Sequence, residues 1–260
     1  MTRALRFEWT KLRSVRSTPW TLLGIVALTV AIGAISCSTS HTEGGSPALP
    51  GDEDVVLVSL TGILLGQVAA VVLGAFAIGG EYGTGTIRAT FAAIPRRRGV
   101  VLAKIVVVGA LAVAAGLVAT VASFYLGQLI LHGNGYVYEN GYPAASLADG
   151  PTLRAVLSGA VYLAGVALLG LGAAAITRST AAAISCVLGL ILVPFVLLGV
   201  GVIPESVGDI LDQGTPMTGV YSVVTVEDVP VGPWHALGVL AAWVVGTLLV
   251  ALWLVRRRDA

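Results

Sequence analysis

The stretch GGEYGTGTIRATFAAIPRRRG, from Gly79 to Gly99, is a polar and arginine-rich interruption in an otherwise apolar chain. The 260 residues are 56% hydrophobic and only 11% charged, and their mean hydropathy is +0.91. A water-soluble domain of this length needs more charged surface than this composition provides. The composition therefore indicates a membrane protein.

Six apolar runs are long enough to cross a bilayer as helices, because about 20 helical residues span a hydrocarbon layer of roughly 30 Å. The predicted spans are residues 19–36, 55–80, 101–131, 155–176, 181–202 and 234–255. Lys104, near the start of the third run, is the only Lys, Arg, Asp or Glu inside them. The sequence therefore predicts an all-α membrane protein with one transmembrane domain over residues 1–260. Pro194 is expected to kink the fifth span.

The charged residues predict the orientation. If the N-terminus lies in the cytoplasm, every basic residue except Arg154 falls in an inside segment, and most acidic residues fall outside. This distribution meets the positive-inside rule at each crossing and predicts that both termini are cytoplasmic. A secretory or lipoprotein signal ending at Cys37 is disfavoured, because its removal would leave five spans and reverse this charge pattern.

Residues 1–18 are predicted to form an amphipathic helix at the membrane interface. Leu5, Trp9 and Leu12 fall within one apolar stripe at helical spacing, and Arg13 lies on the opposite, basic side. Such a helix lies along the surface with its arginines near anionic lipid headgroups. The alternative is a basic tail that only fixes the topology.

The interruption itself is predicted to contain a short cytoplasmic helix between spans two and three. Ile87, Phe91 and Ile94 recur at positions i, i+4 and i+7, and Pro95 closes the segment. An apolar stripe on so short a helix needs a cover, which is either the membrane surface or a groove on a partner protein.

The entry to this helix has its own signals. Gly83 and Gly85 allow a sharp change of direction, and Thr84 or Thr86 can cap the first turn. Glu81, at the end of span two, is expected to pair with a basic residue or with N–H groups of the next turn.

The outer loops differ in character. Residues 37–54 read as an irregular polar connector. The loop before the last span contains the run from Pro204 to Leu211, which has apolar residues at helical spacing. It is predicted to form one or two short helices at the outer membrane face, or else a surface loop with a few buried anchors.

The sequence contains no recognisable catalytic or nucleotide-binding motif. It has no G-x-x-x-x-G-K-[ST] phosphate loop, no H-E-x-x-H zinc motif and no G-x-S-x-G nucleophile motif. The histidines lack metal-ligand spacing. Cys37 and Cys186 are predicted to lie at different membrane depths, too far apart for a disulfide. We therefore expect no catalytic residue, metal site or bound cofactor in this chain.

The segment GEYGTGTIRATFAAIPRRRGVVLAK resembles the corresponding part of the membrane subunit of type-two ABC exporters, the ABC-2 family. The residues that carry the resemblance are Glu81, Gly85, Thr86, Pro95, Arg97 and Lys104. The resemblance implies that this loop, with Ile87, Phe91 and Ile94, is a coupling helix that docks into a separate P-loop ATPase subunit. It also implies short outer helices that gate the outer side before the last span.

The resemblance further implies an ATP-driven exporter in the bacterial plasma membrane. ATP and Mg would be bound by the partner ATPase, and two permease copies or homologues would enclose the pathway. No nucleic-acid partner is expected. The apolar spans suggest an amphipathic or hydrophobic substrate such as a drug, a peptide antibiotic or a lipid. Candidate pathway-lining residues are Gln67, Thr120, Ser123 and Gln128, although such residues also hydrogen-bond between packed helices.

Two other functions stay open at this point. A membrane anchor or an immunity or resistance protein would bind its target without transport. An ion-coupled secondary transporter would need a buried carboxylate or paired discontinuous helices, and the sequence displays no such repeat. An ATPase encoded nearby would favour the exporter.

Overall fold

A computed structural model describes residues 2–40, 54–87, 97–137, 142, 145–200, 208, 211, 214–216, 218–226 and 232–257. Most of these residues lie in α-helices, which are joined by turns and short irregular segments. The helices with described bounds are α1 (Thr2–Ser14), α2 (Ser17–Thr39), α3 (Val55–Leu60), α4 (Ile63–Gly83), α5 (Arg97–Gly133), α6 (Gly150–Thr177), α7 (Thr180–Val200), α8 (Thr218–Val224) and α9 (Pro233–Arg257). The all-α prediction is confirmed for these ranges.

Five helical segments in the described ranges are long and apolar enough to cross a membrane. They are Ser17–Thr39, Val55–Gly83, Gly99–Gly133, Gly150–Thr177 and Pro233–Val255. The predicted span at 181–202 corresponds to α7, which contains Pro194 and whose apolar stretch, Thr180–Pro194, is shorter than the other five. The structure thus supports five spans, and the sixth stays a prediction.

The second span differs from the continuous helix that its hydropathy predicts, because it divides into α3 and α4 at Thr61 and Gly62. The chain tightens here, and the Leu64 N–H donates to the Thr61 carbonyl three residues back at 3.1 Å. A side chain at Gly62 would overlap the Thr29 carbonyl of α2. The division therefore lies where two helix backbones approach each other, a contact that hydropathy does not register.

Two other boundaries also differ from the prediction. The third apolar run begins at residue 101, whereas α5 begins at Arg97 and so extends into the arginine-rich segment. The fourth run begins at residue 155, whereas α6 begins at Gly150, where Pro151 occupies the first turn, a favourable position for proline.

Helix α6 is the most buried span and lies at the centre of the bundle. It packs against α4, α5, α7 and α9, while α4 also contacts α2. Small residues allow the α4–α6 contact: Gly74 lies against the Ala167 carbonyl, and Gly170 lies against the Val71 carbonyl. Helices α2 and α9 are the least buried spans. Their exposed apolar side chains, such as Trp20 and Trp253, suit contact with lipid.

Helices α1 and α8 lie at the two ends of the bundle. Helix α1 packs mainly on α5, and α8 packs on α9 and α6 just before the last span. Most of the predicted run Pro204 to Leu211 lies outside the described residues, although Gly208 and Leu211 are helical. Cys37 and Cys186 are both free thiols, Cys37 buried and Cys186 exposed.

Candidate functional site

Four charged side chains from three helices meet at the α1 end of the bundle. Glu8 and Lys11 come from α1, Glu81 from the last turn of α4, and Lys104 from α5. The Lys104 ammonium donates to Glu8 Oε2 at 2.7 Å, to the Ala77 carbonyl at 3.2 Å and to Glu81 Oε1. Lys11 Nζ donates to the same Glu81 Oε1 at 2.7 Å. These four residues are called the ion-pair cluster below.

Three of the four side chains in the ion-pair cluster are almost completely removed from solvent. Glu8 and Lys104 are each 1% exposed and Glu81 is 5% exposed, whereas Lys11 is 26% exposed. Three acceptors satisfy all three N–H groups of the Lys104 ammonium. Removing one partner of a buried ion pair typically costs about 3–5 kcal/mol, because the other charge stays buried without compensation. The cluster therefore ties the position of α1 to the ends of α4 and α5.

The Glu8 carboxyl carries the clearest electrostatic signature of this burial. Burial raises its pKa above the ordinary value of 4.5, and the nearby Lys104 ammonium opposes the rise. Oxygen Oε1 of Glu8 is buried and lacks a hydrogen-bond partner within the described ranges. The Glu8 carboxyl has thus lost its contact with water and gained an ion pair with Lys104.

The cluster also sets the rotation of α1. Leu5 and Leu12 of the predicted apolar stripe face the bundle, and Leu12 is buried. Glu8 lies between them on the same face, while Trp9, predicted to share that stripe, is 50% exposed. Arg13 is exposed, as a basic outer face requires. The buried face of α1 is therefore partly polar, because the buried Lys104 ammonium needs a carboxylate from it.

Helix α4 ends two residues after Glu81, and a turn follows at the glycine that was predicted to allow a change of direction. Gly85 has a φ of +71°, in the left-handed region that favours glycine. The Thr84 hydroxyl donates to the Gly80 carbonyl at 2.9 Å and lies 2.9 Å from the Thr86 hydroxyl. Thr86 and Ile87 are helical, and Ile87 is buried. This turn leads the chain out of α4 and into the segment predicted to dock.

The rest of the predicted coupling helix cannot be compared with the structure. Phe91, Ile94 and Pro95 lie outside the described residues. Arg97 begins α5, and its side chain is also outside the described part of the chain. The docking role of these residues stays a prediction.

The predicted pathway residues lie within the helix packing. Gln67, Thr120 and Ser123 are buried. The Tyr162 hydroxyl of α6 donates to Gln67 Oε1 at 2.7 Å, and the Ser123 hydroxyl donates to the Ser59 carbonyl at 2.7 Å. For these two residues the structure therefore has the hydrogen bonds between packed helices that were named above as the alternative to pathway lining.

The other two candidates make no such bond between helices among the residues that the structure describes. The Thr120 hydroxyl donates within its own helix to the Gly116 carbonyl at 2.9 Å. Gln128 Nε2 is buried and has no partner among the residues described. A pathway-lining role for this group of four stays a prediction.

A second polar constellation, which sequence reasoning missed, lies at the opposite end of the bundle. Asp54 Oδ1 accepts the N–H groups of Val56 and Leu57, both at 2.9 Å, and so caps α3. Its Oδ2 accepts from the Thr225 hydroxyl and the Val226 N–H, both at 2.6 Å. We call these contacts the Asp54 clamp. The only signal in the sequence was an Asp directly before an apolar run.

A cation from α6 extends the Asp54 clamp. Arg154 donates to the Thr225 carbonyl at 2.8 Å. The clamp therefore joins the start of the second span, the segment after α8 and the first turns of α6. This contact also gives a structural role to Arg154, the basic residue that departs from the predicted charge distribution.

Comparison with known proteins identifies the family of the chain. A search of curated proteins finds no significant match. A family model described as ABC-2 family transporter protein matches residues 4–147, just over half of the 260 residues. The matched range includes most of α1, all of α2 to α5 and all four members of the ion-pair cluster. The chain is therefore a multi-pass membrane protein that belongs to the ABC-2 family of transporter proteins.

Proposed function

We propose that the chain is the membrane subunit of an ATP-driven exporter and works with a separate P-loop ATPase in the bacterial plasma membrane. Membership of the ABC-2 transporter family supports a transport role. Because the sequence has no phosphate-loop motif, we assign ATP and Mg to a partner chain. No covalent chemistry is assigned to this subunit.

The ion-pair cluster is the observation that carries this proposal. Glu81 lies four residues before the turn at Gly85, and Lys104 lies in the second turn of α5. The loop between α4 and α5 is thus anchored on both sides to the same buried charges, which also hold α1. A force applied to the loop by an ATPase would move α1, α4 and α5 together.

The rest of the proposed mechanism follows from this joint movement of α1, α4 and α5. Closure of two ATPase subunits on ATP displaces the loops of two permease copies and tilts them, so that a pathway between the copies opens outward. The charge distribution supports a cytoplasmic position for the loop and both termini. The substrate is an amphipathic or hydrophobic molecule, in keeping with spans that are poor in charge.

A charge at Phe91 tests the docking step. The tagged chain is isolated from its native cells in mild detergent, and the proteins that accompany it are identified. We expect a P-loop ATPase with the wild type and with Phe91→Leu, which keeps an apolar side chain. Phe91→Asp should lose it, because a buried contact at an interface hot spot is worth about 2 kcal/mol or more.

The outcomes separate the exporter from its rivals. Insertion of Phe91→Asp into the membrane at wild-type levels shows that only docking is affected. Normal co-purification of Phe91→Asp with full ATP-dependent efflux would refute the coupling role. A wild-type chain that brings no ATPase from its native cells would favour a non-transporting anchor or resistance protein.

A further inference from the structure

A pocket of about 340 Å³ opens beside the ion-pair cluster, between α1, the start of α2 and the second half of α4. Its volume falls in the range of small-molecule sites. Leu73 and Phe76 form part of an apolar wall, and Thr84 and Thr86 contribute polar groups at the end of α4. Phe76 is 42% exposed, so the pocket is open to the surroundings of the bundle.

The length of this pocket matches one leaflet of a bilayer. The rise of an α-helix places Leu73 and Thr84 about 16 Å apart along α4. Half of a hydrocarbon layer is about 15 Å thick. A hydrocarbon chain lying against Leu73 and Phe76 would therefore place its head group near Glu81 and Lys11, which also line the pocket.

One hydrogen-bond acceptor in the pocket wall, a carboxylate oxygen of Glu81, is left unused by the described residues. Lys104 has no N–H group left, because its three protons go to Glu8, Ala77 and Glu81. Glu81 Oε1 accepts from both lysines, but Glu81 Oε2 is buried and no described residue donates to it. A buried acceptor left in this state is costly, so the site favours a ligand that donates a hydrogen bond.

Lys11 adds hydrogen-bond donors beside this acceptor. Its ammonium has three N–H groups and makes one hydrogen bond within the described ranges, to Glu81. It is partly exposed at the same pocket. A head group that fits both neighbours therefore has a donor for Glu81 Oε2 and an acceptor for Lys11.

We propose that this pocket binds a phospholipid whose head group combines a phosphodiester with a primary ammonium. The ammonium donates to Glu81 Oε2, the phosphate accepts from Lys11, and an acyl chain lies against Leu73 and Phe76. A trimethylammonium head has no N–H to donate, and a phosphoglycerol head can donate only neutral hydroxyl groups to the Glu81 carboxylate. The bound lipid joins α1, α2 and α4, and this role does not depend on the proposed transport function.

Lipid selectivity provides the first test. The purified full chain, stripped of lipid in mild detergent, is titrated with phosphatidylethanolamine, phosphatidylcholine or phosphatidylglycerol of identical acyl chains and measured by native mass spectrometry. We expect the ethanolamine lipid to bind about tenfold more tightly than either other lipid, since one charge-assisted hydrogen bond has about this effect. Equal affinity for the choline lipid would overturn the proposal.

Two glycines of α4 locate the site. Gly80 lines the pocket, whereas Gly83 does not. A Cβ added at either position meets no atom within 4 Å, so a side chain can start at both positions without a clash. Gly80→Leu should abolish the preference for the ethanolamine lipid, and Gly83→Leu should retain it. If Gly80→Leu retains the preference for the ethanolamine lipid, or if both variants lose it equally, the lipid does not bind at this pocket.

Discussion

Replacing Lys104 with methionine tests whether the ion-pair cluster holds α1 in place. Methionine has a similar length and no charge, so the change removes the ammonium and leaves most of the packing. Glu8 then loses its ion-pair partner while 1% exposed, and Glu81 retains only Lys11. Breaking a buried pair in this way typically costs about 3–5 kcal/mol. We expect a loss of this size in the free energy of unfolding.

Lys11→Met is the matched control, because Lys11 pairs with the same oxygen of Glu81 but is 26% exposed. Its removal leaves Glu81 paired with Lys104, and a partly exposed ion pair contributes about 1 kcal/mol or less. Each variant therefore lowers the net charge of the protein by one unit, and the two replaced lysines differ mainly in burial.

The assay has a global and a local readout. Unfolding of each variant in mild detergent, followed by tryptophan fluorescence, gives the change in stability. Hydrogen exchange with mass spectrometry reports on α1 directly, and we expect faster exchange over residues 5–14 in Lys104→Met only. The reasoning fails if the two variants lose equal stability, or if α1 amides exchange at the wild-type rate in Lys104→Met.

The remaining predictions concern one residue each. Asp54→Ala removes the helix cap and the bonds to the segment after α8, so α8 amides should exchange faster and stability should fall by about 2–4 kcal/mol; unchanged exchange would contradict the clamp. Because the folded-state pKa of Glu8 lies above 4.5, its contribution is fully present below pH 4.5 and is lost as pH rises through the folded-state value. The stability of the wild type relative to Glu8→Gln should therefore fall across that interval, and a rise would reverse the assigned sign. Gly74→Ala places a methyl group against the Ala167 carbonyl and should cost about 1–3 kcal/mol. Gly189→Ala, which meets no atom within 4 Å, should keep wild-type stability or gain slightly, and similar losses in both would argue against the close α4–α6 contact.

Features that depend on local composition were predictable from the sequence. Hydropathy located the five segments that are long and apolar enough to span a membrane, because burial in lipid requires a continuous apolar run. Gly85 was expected at a change of direction, and it has a positive φ. Glu81 was expected to pair with a basic residue, and it pairs with Lys11 and Lys104.

Features that depend on contacts between distant positions were not predictable. Glu8 and Lys104 are separated by 96 positions, and neither spacing nor hydropathy indicates that one faces the other. The division at Gly62 arises from the Thr29 carbonyl of another helix. The Asp54 clamp joins residues 171 positions apart. In each case tertiary packing, not the local pattern, decides the orientation.

Photo-crosslinking from the loop between α4 and α5 tests the central claim most directly. A photoreactive amino acid is placed at position 91 of the full chain in its native cells, and at Leu129, a 73% exposed side chain of α5, as the control. The account predicts a covalent adduct with a P-loop ATPase subunit from position 91 and none from position 129. Illumination that yields no such adduct from position 91 would contradict it. So would a cysteine placed at position 91 that an impermeant thiol reagent labels from outside sealed cells.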